Sequence, residues 1–372
     1  MKLDHMKILY VIPRLNNEGP VNQLYSLINE FKKFTNLAIK IVTIYNEIDD
    51  SRINEFKKMK IDIESIAIEK KYDIAGMVKS MNKIISKENP DIIHSATLMA
   101  DILIGICNTS VKWVSTIHCN IYKDYIWKFG KIRGHMVILA HEWAIKRMDK
   151  AICCSKSIAK EFGKFGEKVI DVQNGILIDD INKNTENSKL NLKQKLGLCN
   201  KRKIIVVVGS IDERKNTEYI LKNIYDRIED SGYQLILLGE GTLYTKLKNK
   251  YSNKYIVFKG KVGNVSEFLE CADVYISASK SEGLPLSVIE AGLKGVPLIL
   301  SDIPAHKELQ NGKCNGIYFF DIKNDKFDFE NLIDEVVDNK LEIQQYFQTY
   351  FSAYRMAKDY INVYKKIYKQ EN

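Results

Sequence analysis

Strand-length apolar runs alternate with helix-length amphipathic segments from Met6 to Phe165, give way to a polar stretch, and begin again at Lys203. This doubled alternation constrains the chain more than any other feature, because repeated βαβ units fold as a parallel sheet with helices on both faces. The first half opens on the buried-strand run Met6–Pro13, a turn over 16–20, and the helical spacing Val21, Leu24, Leu27, Ile28, Phe31. Further strands are expected at Ile39–Ile44, Ile63–Ile68, Asp91–His94, Trp113–His118 and Ala151–Cys154, with a long helix over Ile132–Met148. Residues 179–195 are polar and lack apolar periodicity, as a linker would. The second half starts with five β-branched residues, Ile204–Val208, and continues with strands at Gln234–Leu238, Ile256–Lys259, Val274–Ser277 and Pro297–Leu300. The expected class is α/β. It comprises a doubly wound domain over 1–178, a linker over 179–195, a second doubly wound domain over 196–345, and a helix over 346–372 packing back on the first domain. Two such domains facing across a cleft would hold a ligand at the C-terminal ends of their strands.

A length of 372 residues agrees with two cores, since single cores stop growing at roughly 250–300 residues. With 45% hydrophobic and 28% charged residues, disordered and fibrous classes are excluded. The seven cysteines form an odd set without metal-ligand spacing, which points to a reducing, cytoplasmic compartment. No run reaches the ~20 apolar residues of a membrane span. The net charge of +9 is concentrated: residues 112–168 hold twelve Lys and Arg against five Asp and Glu, and all three tryptophans. Aromatic and basic side chains together suit peripheral contact with an anionic membrane at its inner face. No nucleic-acid-binding motif accompanies the charge, and nothing indicates the oligomeric state.

The chemistry is concentrated in Ser281-Glu-Gly-Leu-Pro-Leu-Ser-Val-Ile-Glu-Ala291. Glu282 is expected in a loop after a strand, and Glu290 about one turn into the next helix on the same side. Carboxylates grip sugar hydroxyls, and the free N–H groups of a helix start hold phosphate. No Asp-x-Asp triplet or His/Asp cluster suggests a metal site.

This segment resembles the Glu…Glu signature of the retaining glycosyltransferases of family 4, which have the GT-B fold of two Rossmann-like domains. Other segments are similar to the family along nearly the whole chain: Gly19-Pro20-Val-Asn-Gln-Leu24, Asn89-Pro-Asp-Ile-Ile-His94, Ser115-Thr-Ile-His118, Ala151–Ser155, Val172–Gly175, Ala272–Ser277 and Gly295-Val-Pro297. The resemblance implies that Glu290 binds the donor ribose, that Glu282 contacts the donor sugar, and that Lys215 neutralises the diphosphate. It implies that Gly283, Leu284 and Pro285 line the sugar and β-phosphate, and that His118 lies under the reacting centre. Gly19 would approach the phosphate, with Pro20 beside the acceptor. Gly209, Gly239 and Val262 would border the nucleotide. Ser210 stands where the family usually has an arginine, and Arg214 is the natural substitute. His94 and Asp101 are candidates for the acceptor side, with a structural role for His94 and a solvated one for Asp101 as the other readings. Asp302 reads as a helix cap and His306 as a surface residue.

The implied activity is transfer of a hexose or N-acetylhexosamine from a nucleotide sugar, a uridine diphosphate sugar above all, to a glycan or lipid-linked acceptor in bacterial surface polysaccharide synthesis. Neither a cofactor nor a metal is implied. Two rival readings are a non-catalytic GT-B scaffold subunit, encouraged by Ser210, and a sugar-nucleotide epimerase on the same architecture.

Overall fold

The computed structural model describes residues 6–34, 37–66, 73–178, 186–310, 312, 314–324, 327–336 and 339–369. The chain divides into two compact units, one of 1–177 with 352–372, the other of 178–351.

The first unit carries seven strands: β1 (Lys7–Ile12), β2 (Ala38–Thr43), β3 (Asp62–Ser65), β4 (Ile92–Ala96), β5 (Lys112–Ile117), β6 (Lys150–Cys153) and β7 (Val169–Asp171). They form one sheet in the order β3-β2-β1-β4-β5-β6-β7, and every pairing is parallel. The order reverses between β1 and β4, so the loops after these two strands diverge and leave a crevice at their C-terminal ends. β1 and β4 are buried on both faces; β1 is an apolar run after Lys7, while β4 carries the buried polar pair His94 and Ser95.

The second unit repeats the plan with six strands: β8 (Lys203–Val208), β9 (Tyr233–Leu238), β10 (Ile256–Gly260), β11 (Val274–Ser277), β12 (Leu298–Ser301) and β13 (Ile317–Phe320). The order is β10-β9-β8-β11-β12-β13, again all parallel, with the reversal between β8 and β11.

Two expectations are corrected and a third is extended. The segment expected as linker is helical over Glu186–Lys195, and Lys189 pairs with Asp273 at 2.7 Å inside the second unit. Its residues 179–185 lie outside the described residues. The single terminal helix is two, Lys340–Phe351 in the second unit and Ala353–Lys369 in the first, separated at Ser352. The helix expected over Ile132–Met148 has a partner, Ile121–Phe129, from which Gly130 separates it at φ +78°.

The last helix is built into the first core. Tyr360 and Tyr364 are fully buried, and their hydroxyls need partners there. Tyr360 Oη lies 2.8 Å from Thr116 Oγ1 and accepts from Gln23 Nε2 at 3.1 Å, while Tyr364 Oη lies 2.6 Å from His94 Nδ1. Gly175 lies close against the residue before this helix: a Cβ there would fall 2.3 Å from the Ser352 carbonyl oxygen.

Candidate functional site

Two groups of side chains, one in each unit, stand at the C-terminal ends of the strands. In the second unit, β8 and β11 are neighbours, so the loops that leave them meet. The loop after β11 carries Glu282, only 8% exposed. Its carboxylate receives Lys215 Nζ at 2.7 Å on Oε1 and Arg214 Nη1 at 2.8 Å on Oε2, both cations coming from the loop after β8. Ser279 Oγ donates a third bond at 2.7 Å. Burial pushes the carboxyl pKa up, but the charges of Lys215 and Arg214 outweigh it and hold the group at about 2. Arg214 also donates to the Ser281 carbonyl at 2.9 Å. The guanidinium is therefore bound into the cluster, where an arginine at position 210 is missing.

Ser210 does something else. Its hydroxyl donates to Asp212 Oδ2 at 2.6 Å, and Asp212 Oδ1 accepts the Lys215 backbone N–H at 2.8 Å. Asp212 thus sets the loop conformation that aims Lys215 at the cluster. Gly209 lies against the lysine stem, since a Cβ there would meet Lys215 Cε at 3.0 Å.

The loops after β8 and β9 are stitched together. Gly209 N–H donates to Leu238 O, Ile211 N–H to Glu240 O, and Gly239 N–H to Gly260 O. Gly239 has φ +136°, and a Cβ on it would sit 1.9 Å from the Gly209 carbonyl oxygen. Gly239→Ala is expected to destabilise the protein by about 3 kcal/mol or more, from strain and clash together. Gly263→Ala, whose Cβ would meet nothing within 4 Å, is the control. Equal urea midpoints for the two variants would refute this account. Val262 is half-buried just beyond β10.

Gly283, Leu284 and Pro285 are buried and lead into the helix Leu286–Leu293, whose first N–H groups no side chain caps. That leaves donors for an anion. Glu290 is half-buried on this helix. Tyr275, buried in β11, donates to Ser287 Oγ at 2.9 Å. Its hydroxyl pKa is raised by burial and then by the charges of Glu282 and Glu290, which places both carboxylates within electrostatic reach of one phenol.

Behind Glu282 lies a chain of buried groups that sequence reasoning missed. Ser301 Oγ donates to the Ser279 carbonyl at 2.6 Å, and His306 Nδ1 lies 2.9 Å from the Ser301 carbonyl and 3.0 Å from its hydroxyl. His306 is fully buried, not at the surface. Burial pushes its pKa down to about 4, against the pull of Glu282. Asp302 pairs with Lys307 at 3.1 Å and caps no helix.

In the first unit, His118 follows β5 directly. Its Nε2 is buried and has no partner among the described residues. Burial lowers its pKa to about 4, Asp101 opposing, so the ring is neutral at pH 7. Thr97 follows the neighbouring β4 at φ +77°, unusual for a β-branched residue, and its buried Oγ1 likewise has no partner among the described residues. No sequence signal marks Thr97, since such strain is a property of the folded loop. Gly19 is exposed at the start of the helix Gly19–Phe34, with Pro20 second in it, and open space surrounds it.

Two acceptor-side candidates are corrected. His94 is fully buried with both ring nitrogens engaged, Nδ1 to Tyr364 and Nε2 2.8 Å from Thr116 Oγ1. Asp101 is equally buried, accepting from Ser95 Oγ at 2.5 Å and held by His141 Nε2 at 2.8 Å. Neither has a free edge for a substrate. His94 ties the last helix to the sheet, and Asp101 ties Ser95 in β4 to the helix Lys131–Arg147.

Known proteins match this arrangement. The family model "Glycosyltransferase Family 4" matches residues 66–180 and "Glycosyl transferases group 1" matches 202–339. Together they take in the segments that carry Thr97, His118, Arg214, Lys215, Glu282 and Glu290, but not Gly19 and Pro20. The chain is a glycosyltransferase of the GT-B fold. This glycosyltransferase is 24% identical over 330 residues to "O-antigen biosynthesis glycosyltransferase WclY" of Escherichia coli, covering 86% of each chain. It is 28% identical over 286 residues to the E. coli "UDP-Gal:alpha-D-GlcNAc-diphosphoundecaprenol alpha-1,3-galactosyltransferase", covering 70% of each. Among solved structures it resembles Anabaena Alr3699/HepE in complex with UDP-glucose, with a TM-score of 0.79, 15% identity, and coverage of 97% of this chain and 100% of that one.

Proposed function

We propose that this glycosyltransferase moves a hexose or N-acetylhexosamine from a uridine diphosphate sugar to a glycan or lipid-linked acceptor in bacterial surface polysaccharide synthesis, with retention and without a metal. The observation that carries the reading is the buried Glu282 held between Lys215 and Arg214 at the switch point of β8 and β11. The E. coli galactosyltransferase named for a diphosphoundecaprenol acceptor and the UDP-glucose complex of the Anabaena protein support the donor and acceptor classes.

In this reading Glu290 binds the ribose, and Glu282 contacts hydroxyls of the donor sugar. Gly209, Gly239 and Val262 border the nucleotide. Gly283 and Leu284 present backbone N–H groups to the sugar and β-phosphate, Pro285 shapes the loop, and Gly19 gives the phosphate room beside Pro20. The bond from the anomeric carbon to the diphosphate breaks while the acceptor oxygen attacks the same face, and the acceptor proton passes to the departing phosphate. Lys215 and Arg214 stabilise the negative charge where it develops, which is the task a metal would otherwise have. Neutral His118 offers its unpartnered Nε2 to the sugar, with Thr97 as a second polar contact in the first unit. A lipid-linked acceptor places the enzyme at the inner face of the membrane, in peripheral contact through residues 112–168.

Thermal unfolding with UDP, GDP and ADP tests the donor assignment. UDP at 100 times its dissociation constant should add roughly 2.7 kcal/mol, and Glu290→Ala should abolish the shift. Stabilisation by none of the three would remove the donor reading and favour a non-catalytic scaffold, the role that Ser210 first suggested.

A further inference from the structure

The helix Lys131–Arg147 has two apolar faces. Its inner face is Gly134, Ile138, His141, Ala144 and Ile145, all buried. Two positions along a helix turn about 200° round its axis, so Ile132, Met136, Leu139 and Trp143 form a stripe on the opposite side. These four are 82%, 66%, 66% and 42% exposed. A surface helix normally turns polar residues outward, and an exposed apolar stripe of this length marks an interaction site.

The support beneath the stripe is rigid. A Cβ on Gly134 would fall 2.9 Å from the Tyr125 carbonyl oxygen, so this helix lies directly on the backbone of Ile121–Phe129. Tyr125 Oη meets His141 Nδ1 at 2.8 Å beneath it. The adjoining helix adds exposed Trp127 and Phe129. Lys128, Lys131 and Arg133 are exposed around the stripe and have no ion pair among the described residues. The acidic Glu142 is paired with Lys164. Arg147 lies over the Trp143 ring at 5.1 Å.

We propose that this face is a membrane-docking surface, on which Ile132, Met136 and Leu139 enter the interface of an anionic bilayer, with Trp143, whose ring also packs against Gly105, at its edge, while Lys128, Lys131 and Arg133 meet lipid phosphates. Charge complementarity selects this occupant. A second copy related by a two-fold axis would bring the same cations face to face, whereas an anionic leaflet attracts each of them. The proposal deepens the lipid-linked-acceptor reading and rests on it for its biological role only, because binding to vesicles requires neither donor nor turnover.

The test is co-sedimentation of the full chain with vesicles of phosphatidylcholine alone and of phosphatidylcholine with phosphatidylglycerol. The expected result is binding to the anionic vesicles that weakens as salt rises. Lys128→Glu, Lys131→Glu and Arg133→Glu together should weaken it by about a hundredfold or more. Ile132→Ser, Met136→Ser and Leu139→Ser together should weaken it at least about tenfold. Both variants should keep the wild-type thermal shift with UDP, since every changed side chain is exposed. Equal binding to the two vesicle types would overturn the proposal, as would binding that neither variant changes. A dimer in solution that the serine variant dissociates, without vesicle binding, would identify the face as a self-association surface instead. Loss of the UDP shift in the wild type with intact vesicle binding would sink the donor reading and leave the docking surface standing.

Discussion

Glu282→Ala is expected to lower kcat/KM for sugar transfer by about a thousandfold. One preorganised charged or polar contact at a reacting centre contributes roughly 10²–10³, and this carboxylate has two tasks on the proposed reading. It contacts the donor sugar, and it holds Lys215 and Arg214 in place through bonds of 2.7 and 2.8 Å. Glu282→Gln keeps the shape and a hydrogen bond with Ser279 but loses both ion pairs, and it should fall nearly as far. Lys215→Ala should cost a similar factor, because on the same reading the leaving diphosphate loses one of its two cations. The double variant should be little worse than either single one, as groups that act as a unit are not additive. Steady-state transfer assays with wild type and the four variants decide this. A Glu282→Ala enzyme within threefold of wild type would remove Glu282 from the mechanism.

Stability is expected to fall steeply as the pH drops below about 6.5. His94 and His306 are fully buried and His118 has its Nε2 buried, and burial lowers all three pKa values, His306 and His118 to about 4 and His94 well below the ordinary imidazole value. In the unfolded chain each takes a proton near pH 6.5. The unfolded state therefore binds more protons between 6.5 and about 4, and stability is whole above that window and lost on acidification through it. Each histidine should contribute a loss of about 1.4 kcal/mol per pH unit inside the window. Glu282 adds a later loss of the same sign. Held at about 2 in the fold, it stabilises fully above its unfolded value near 4.3 and loses that contribution below it. Urea unfolding between pH 7.5 and 5 measures the slope. His306→Gln should remove one proton from the slope of the second unit. A midpoint independent of pH from 7 to 5 would contradict this account.

Much of the site was legible because its parts lie close in sequence. Glu282 and Glu290 share one loop and helix, and Arg214 and Lys215 are adjacent. The substitution of Arg214 for an arginine at 210 could be named from the sequence, but its bond to Glu282 required the neighbouring strands β8 and β11. His94 and Asp101 could not be separated from acceptor contacts by sequence for a general reason. A polar residue at the end of a buried strand looks like a ligand contact until its hydrogen-bond partners are known, and theirs come from Tyr364, Thr116, Ser95 and His141. His306, Tyr275 and Thr97 had no visible signal, because burial and a positive φ are consequences of packing.

Sequence alone determined the two parallel α/β units, since hydrophobic periodicity is local and the βαβ connection leaves few topologies open. It also identified the Glu282–Glu290 segment, two carboxylates that flank the start of the helix Leu286–Leu293. Tertiary structure decided which polar residues keep a free edge for a substrate and which are consumed by the core. It also decided which way each apolar residue of the helix Lys131–Arg147 points. The twelve cations and three tryptophans of residues 112–168 showed only that basic and aromatic groups coincide. Ile132, Met136 and Leu139 face outward because Gly134, Ile138 and His141 occupy the inner face, with the Trp143 ring at the edge against Gly105, and that choice is made by the elements they pack against.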